Sequence, residues 1–145
     1  MAEKWIWFQR MVFLLLPVHM LIATKFFFMR EAIRDLGRLQ HMLEHIDRAT
    51  EFLNGKSLAD LENEAVLRYA VVKCLEIIGE AAYMLTLEFK ETHPQTPWNV
   101  IIKMRHVLVH GYYSIQMPIV WDIVQNDFPV LRPQIEQYIK EKSEL

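Results

Sequence analysis

The sequence predicts an all-α protein, a small up-down bundle of about five helices that carries an extra apolar segment at its N-terminus. From Met29 onward, apolar residues recur every three or four positions, which is the repeat of a helix with one buried face. No stretch keeps the two-residue alternation of a half-buried strand. With 145 residues, 52% apolar content and only 4 Gly and 6 Pro, the chain can bury one sizeable core, so disordered and collagen-like classes are excluded.

Cysteine content and net charge indicate the cellular compartment and limit the ways in which the protein can contact nucleic acid. The lone cysteine, Cys74, can form neither an intramolecular disulfide nor a cysteine cluster for zinc, so we expect a reducing, cytoplasmic location. A formal net charge of -2 lacks the broad basic excess of a protein that holds nucleic acid over its whole surface. Any contact with nucleic acid must therefore be local.

The first 28 residues form a separate segment because 20 of these 28 are apolar, whereas apolar residues make up only 52% of the whole chain. Their longest uncharged run, 11–24, is shorter than the roughly 20 apolar residues of a membrane-spanning helix. We interpret residues 1–28 as an upstream extension, such as a mis-assigned start, and residues 29–145 as the functional domain. A membrane or secretory signal and an extra core helix remain open for this segment. No stable membrane association is expected for residues 29–145.

The first predicted helix of the domain runs from about Met29 to Leu53, and Asn54-Gly55 ends it. One face is apolar and the opposite face is charged, as in a helix that covers a core. The apolar face is Ile33, Leu36, Leu39, Met42 or Leu43, and Ile46, and the charged face is Arg30, Glu31, Arg34, Asp35, Arg38, Glu44 and Arg48.

The second predicted helix starts at a cap on Ser57 or Asp60 and continues to about Lys90, a length of about 45 Å at 1.5 Å per residue if it is unbroken. Small residues in its middle, Gly79 and 81–82, predict the close approach of another helix. Its buried stripe is Leu67, Ala70, Val71, Cys74, Ile77, Ile78, Ala81 and Leu85.

Three shorter helices complete the predicted bundle. The segment 93–97 breaks the second helix, and Thr96 followed by Pro97 predicts a cap and first turn for a third helix over Trp98 to His110. Gly111 suits the left-handed conformation that follows a helix C-terminus. The fourth helix runs from Pro118 to about Gln125, and Pro129 precedes a fifth over Val130 to Glu141.

The third helix carries the densest polar group of the chain. On a helix of 100° per residue, His106 and His110 are 40° apart on the exposed side, whereas Arg105 and His110 are 140° apart. Their convergence therefore requires the long arginine side chain, departure from regular helix at Gly111, or a second subunit. The group also includes Lys103, Tyr112 and Tyr113.

These residue types suit cleavage of a phosphodiester without metal. An imidazole moves protons near neutral pH, and a guanidinium offers a fixed fork of donors to a phosphate that gains negative charge. Tyrosine can donate to a phosphate oxygen or stack on a base. We infer attack by an RNA 2'-hydroxyl on its own phosphate, a nucleophile that DNA lacks.

Other interpretations of the same residues stay open at this point. His110 could serve only as a cap at the helix C-terminus, and Arg105 could serve only as an ion-pair partner. His106 and His110 also have the spacing of zinc ligands, although no third ligand is evident. Glu76 and Glu80, one turn apart on the second helix, are expected to form salt bridges or a solvated face.

Three segments together resemble the HepT-like toxins of the HEPN superfamily. They are Ile77-Ile78-Gly79-Glu80-Ala81-Ala82, then Met104-Arg105-His106-Val107-Leu108-Val109-His110-Gly111-Tyr112, then Val120-Trp121-Asp122-Ile123-Val124-Gln125-Asn126-Asp127. The resemblance covers Met29 to about Ile139. The family motif is Arg, four residues, His, any residue, Tyr, which here falls on Arg105, His110 and Tyr112.

The resemblance implies an all-α homodimer that acts as a metal-independent endoribonuclease toxin on RNA and needs no cofactor. Its partner would be a nucleotidyltransferase antitoxin that transfers AMP to Tyr112. The catalytic residues would be Arg105 and His110, with His106 and Tyr112 in support. Family members commonly have Asn where His106 stands. This chain therefore has a second imidazole beside the motif histidine, and it could orient His110 or share its proton.

Two other functions compete with the toxin. One is a non-catalytic helical dimer that binds a nucleotidyltransferase or a nucleotide. The other is a metal-binding stress protein that uses His106 and His110.

Overall fold

The computed structural model describes residues 18–144, which form helices and no strand, so the predicted all-α fold is confirmed. The chain divides into two compact units, 1–33 and 34–145. The interpretation of residues 1–28 as an extension concerns mainly residues 1–17, which lie outside the described residues. Between residues 18 and 144, no helix combines the length and apolar character needed to cross a bilayer.

Helix α1 spans Val18–Phe52 and therefore begins 11 residues before the predicted start at Met29. No Pro or Gly separates residues 18–28 from the rest of the helix, so nothing in the sequence stops the helical hydrogen bonds there. The predicted stop is confirmed, because Gly55 has a φ of 71° that favours glycine. Of the predicted apolar stripe, Ile33 is 63% exposed, while the fully buried members are Leu39, Met42 and Ile46.

The predicted second helix is not continuous but consists of α2, Leu58–Asn63, α3, Ala65–Met84, and α4, Leu87–Thr92. The predicted cap at its start is confirmed, because the Ser57 side chain accepts from the Asp60 amide and the Asp60 carboxylate accepts from the Ser57 amide. At Glu64 the backbone leaves helical geometry, with φ -89° and ψ 100°. The prediction of one unbroken helix of about 45 Å is therefore wrong.

A buried carboxylate organises the break between α3 and α4. Asp35 is 1% exposed, although the sequence places it on the charged outer face of the first helix. Its two oxygens accept hydrogen bonds from the Thr86 amide at 3.0 Å and the Thr86 hydroxyl at 2.6 Å, and Arg38 pairs with it at 3.0 Å. Thr86 in turn caps α4 by accepting from the Phe89 amide. The break is thus fixed by a contact from another helix.

Helix α5 spans Trp98–His110, the bounds predicted from the sequence. Its predicted cap is wrong, because Pro97 occupies the N-cap position and the Thr96 hydroxyl bonds to Gln134 and Tyr138 instead, both at 2.8 Å. Thr96 is only 2% exposed, so its hydroxyl satisfies a buried contact with the last helix.

The predicted fourth and fifth helices are joined. Helix α6, Met117–Asp122, passes into a π-helical turn, Ile123–Asp127, and then into α7, Phe128–Ser143. In a regular α-helix the ring of Pro129 would collide with the carbonyl four residues earlier, and a wider turn just before the proline relieves that collision. The chain therefore continues as a helix where the sequence predicts a break.

The core is built mainly from apolar faces of α1, α3, α5 and α7, and the predicted bundle of stacked amphipathic helices is confirmed in this respect. Helices α3 and α5 pack closely against each other. The fully buried large side chains of the core are Leu39, Met42, Ile46, Leu61, Val71, Leu75, Ile78, Val120 and Ile135.

Candidate functional site

Gly79 sets the distance between α3 and α5. A Cβ atom built on Gly79 would lie 2.3 Å from the Cβ of Arg105, closer than real contacts allow, and 3.2 Å from its Cα, which is a tight contact. The absence of a side chain at this position therefore lets the Arg105 backbone rest on α3. This contact confirms the prediction that small residues in the middle of the second helix admit another helix.

The Arg105 side chain extends over α3 and is paired there. Its Nε lies 2.8 Å from Oε2 of Glu80, and its guanidinium carbon lies 5.9 Å from the centre of the Tyr83 ring. Glu80 Oε2 is enclosed but makes no hydrogen bond of acceptable geometry, so the attraction is that of an ion pair and not of an aligned hydrogen bond. The expected salt-bridge role of Glu80 is confirmed, with Arg105 as its partner.

His106 and His110 are brought together on the exposed side of α5. Their ring centroids are 4.6 Å apart with an interplanar angle of 51°. Both side chains are exposed, so solvent or a ligand can reach them. Of two adjacent imidazoles, one can remove a proton while the other delivers one.

Within residues 18–144, no hydrogen bond or ion pair joins Arg105 to His110. The contacts of Arg105 lead to α3, whereas those of His110 lead to His106. This separation follows from the 140° angle between positions five apart on a helix. The structure thus assembles an imidazole pair and an anchored guanidinium on the same helix, and a substrate would have to bridge them.

The chain turns sharply directly after His110. The Gly111 amide donates to the Val107 carbonyl at 2.7 Å, and the Ser114 amide donates to the Gly111 carbonyl at 2.8 Å. Gly111 has a φ of -105°, so the predicted left-handed conformation is wrong. Glycine is required there for a different reason, because a Cβ would lie 2.8 Å from the Val107 carbonyl oxygen. The turn starts a short 3-10 helix, Tyr112–Ser114.

The described part of the chain contains no assembled metal site. No group of three or more His, Cys, Asp or Glu side chains between residues 18 and 144 is placed to hold a metal ion. Cys74 is buried on α3, and desolvation by burial raises the pKa of its thiol, which Arg48 opposes in part.

One member of the site was not predicted from the sequence. Tyr83 lies under the Arg105 guanidinium, and its position three residues after Glu80 places both side chains on one face of α3. The three-residue spacing of Glu80 and Tyr83 is visible in the sequence, but it indicates a shared contact only once Arg105 is known to cross this face of α3.

Comparison with known proteins identifies the chain's relatives. Residues 42–138 match the family described as Ribonuclease HepT-like. The chain is 35% identical over 104 residues to "Putative RNase TTE0752" of Caldanaerobacter subterraneus subsp. tengcongensis, covering 72% of this chain and 93% of that one. It is 34% identical over 98 residues to "Putative RNase MJ1380" of Methanocaldococcus jannaschii, covering 68% and 90% of the two chains.

A third relative has a more specific name. The chain is 32% identical over 102 residues to "Probable ribonuclease HepT" of Thermococcus cleftensis, which covers 70% of this chain and 93% of that one. No solved structure is similar enough to count as a match. The family match spans well over half of the chain, and it includes α3, α5 and the motif residues. The chain therefore belongs to the HepT-like ribonuclease family.

Proposed function

We propose that the chain is a metal-independent endoribonuclease that serves as the toxin of a prokaryotic toxin-antitoxin pair. The observation that carries the proposal is that the C-terminal half of α5 presents two imidazoles 4.6 Å apart together with an arginine anchored to the neighbouring helix. Family membership supports the same activity, since the relatives are named as ribonucleases.

Arg105 is assigned to bind the scissile phosphate. A guanidinium has five N–H donors, and the approach to Glu80 occupies only the Nε side. The two terminal nitrogens remain available to donate to the non-bridging phosphate oxygens. Glu80 and the Tyr83 ring restrict the guanidinium, so less rotational freedom is lost when the substrate binds.

The imidazoles are assigned to proton transfer. One imidazole removes the proton of the ribose 2'-hydroxyl, whose oxygen attacks the adjacent phosphorus, and the bond to the 5'-oxygen breaks. An imidazolium then delivers a proton to that leaving oxygen, which gives a 2',3'-cyclic phosphate and a free 5'-hydroxyl. We assign the main acid-base role to His110, with His106 sharing the proton or orienting its neighbour.

Neutralisation is assigned to transfer of AMP to Tyr112 by a nucleotidyltransferase antitoxin. Tyr112 follows His110 by two residues and begins the short 3-10 helix, and we propose that a nucleotide added to it reaches the imidazole pair. Its bulk and negative phosphate would occupy and repel the position of the substrate phosphate. A homodimer is part of the proposal, because a second copy could bring its own arginine toward these imidazoles.

The test is cleavage of tRNA and mRNA by the purified full chain in the presence of EDTA. We expect cleavage that falls by a factor of about 100 or more in Arg105→Ala and in His110→Ala. His41→Ala and Arg48→Ala, which change the same residue types on the exposed surface of α1, serve as matched controls and should retain full activity.

Other outcomes assign the protein differently. Intact RNA with folded protein would contradict the nuclease and favour a non-catalytic dimer that binds a nucleotidyltransferase or a nucleotide. Stoichiometric zinc after purification without added metal, together with loss of zinc in His106→Ala, would favour the metal-binding protein. Growth arrest in a bacterium that both Arg105→Ala and His110→Ala relieve would support the toxin.

A further inference from the structure

A cleft of about 460 Å³ lies beside the C-terminal half of α5, and its volume falls in the range of small-molecule sites. We name it the Tyr69 cleft. It contains none of the motif residues discussed above. Its lining residues are Glu62, Arg68, Tyr69, Val72, Glu76, Leu108, Ile115 and Met117.

The Tyr69 cleft lies on the same face of α3 as Glu80, the partner of Arg105. On α3, Tyr69, Val72 and Glu76 are spaced by three and four residues, and this face continues through Glu80, the partner of Arg105. Glu76 and Glu80 are about 6 Å apart along the axis at 1.5 Å per residue. On α5, Leu108 follows Arg105 by less than one turn. The cleft therefore begins about one helical turn from Glu80, and Tyr69 lies about 16 Å from Glu80 along the axis at 1.5 Å per residue.

The interior of the cleft suits a flat, partly apolar group. Leu108 is 5% exposed and supplies a fixed apolar wall, with half-buried Val72, Ile115 and Met117 around it. Tyr69 is 78% exposed at the rim, although a ring of this size is usually covered. Exposed aromatic rings next to apolar walls are what single-stranded RNA uses to stack an unpaired base.

The polar groups of the cleft favour a base over a phosphate. The lining has one guanidinium, on Arg68, and two carboxylates, on Glu62 and Glu76, so it lacks the excess of positive charge that would attract phosphate. Arg68 is held in place because one of its terminal nitrogens donates to the Glu62 carbonyl oxygen. Glu76 is held by Lys73 at 3.0 Å through one oxygen, which leaves the other oxygen as an acceptor.

We propose that the Tyr69 cleft binds the base of a nucleotide near the scissile phosphate, with guanine preferred. Guanine has the acceptor pair O6 and N7, which arginine binds in a bidentate manner, and an N2 amino group that can donate a hydrogen bond to a carboxylate. Tyr69 would stack on its face. This inference rests on the proposed function, because the phosphate is assigned there to Arg105.

The first measurement is the affinity of the full chain for the mononucleotides GMP, AMP, CMP and UMP, followed by two-dimensional NMR of the labelled protein. We expect GMP to bind tightest and to shift the signals of Tyr69, Leu108 and Ile115. Tyr69→Ala should weaken GMP binding by a factor of about 5 to 100, and Tyr69→Phe, which keeps the ring, should leave it within about twofold.

The specificity variant is Glu76→Gln, which removes the carboxylate and keeps the side-chain shape. It should reduce the preference for GMP over the other nucleotides, whereas the matched control Glu51→Gln, on the exposed surface of α1, should not change it. Equal affinities for the four nucleotides, or a GMP affinity that Tyr69→Ala does not change, would overturn the proposal. So would cleft signals that move with protein concentration alone, because a second copy would then occupy the cleft.

Cleavage of short RNAs that differ only in the bases near the cut separates this inference from the proposed function. Preferential cleavage near guanine that Tyr69→Ala abolishes and Tyr69→Phe retains supports both. Cleavage with no base preference overturns the guanine site and leaves the nuclease standing. Binding of GMP without cleavage of any RNA overturns the nuclease and leaves the cleft as a nucleotide site.

Discussion

Replacing Gly79 by alanine should destabilise the fold and displace Arg105. The new Cβ would have to move from 2.3 Å to at least 3.4 Å from the Arg105 Cβ, a separation of about 1.1 Å between α3 and α5. Overpacking of this kind costs up to about 3 kcal/mol, because the Arg105 Cα is also in contact. Alanine recovers about 1 kcal/mol over glycine within a helix, which leaves a net loss of about 2 kcal/mol.

The measurement is urea and thermal unfolding of the variant beside the wild type. A loss of about 2 kcal/mol corresponds to a melting temperature lower by roughly 5–8 °C for a chain of this size. RNA cleavage under conditions where both proteins are folded should fall by a factor of about 100, since displacement by 1 Å at a catalytic group has effects of that order.

Gly37→Ala is the matched control. A Cβ on Gly37 meets nothing within 4 Å, so the same substitution on α1 should raise the stability by about 0.5–1 kcal/mol. If Gly79→Ala proves as stable as Gly37→Ala and cleaves RNA at the wild-type rate, the tight approach of α3 and α5 does not position Arg105.

Three further predictions concern single side chains. Asp35→Ala should lower the free energy of unfolding by about 3 kcal/mol in urea, because it leaves buried donors unpaired, whereas loss of the exposed Glu44 carboxylate should cost at most about 0.5 kcal/mol. Incubation with the proposed nucleotidyltransferase antitoxin and ATP should add AMP-sized mass to the wild type and to Tyr113→Phe but not to Tyr112→Phe; addition to all three would place the modification elsewhere. Burial raises the pKa of the Cys74 thiol, so its reaction with a disulfide reagent should be about 100 times slower in the native protein than in urea, and equal rates would contradict its burial.

The features predicted correctly from the sequence are those with local causes. Helix α5 lies between Pro97 and Gly111, and both signals act within a few residues of the helix ends. The stop at Gly55 and the capping box of Ser57 are equally local. The resemblance placed Arg105 and His110 in one motif, and their positions on a regular helix correctly indicated that they would not meet on their own.

The features that sequence reasoning missed depend on distant partners. Thr86 has no strong helix-ending signal of its own. The helix ends there because Asp35, 51 residues earlier in the chain, accepts hydrogen bonds from the Thr86 amide and hydroxyl. Tyr83 becomes part of the site only because Arg105 crosses α3. A prediction from periodicity extends helices until a local signal stops them, so it cannot register a break that another helix imposes.

The long helical run from Met117 to Ser143 contains a weak point in its middle. Pro129 and Pro133 supply no backbone N–H, and the π turn before them replaces the regular four-residue ladder with wider bonds, such as the one from the Phe128 amide to the Ile123 carbonyl. Fewer bonds must break to open the chain here than in an unbroken helix of the same length. Amide deuteration should therefore proceed faster around this turn than in α3, and any bending of the run should occur at this turn.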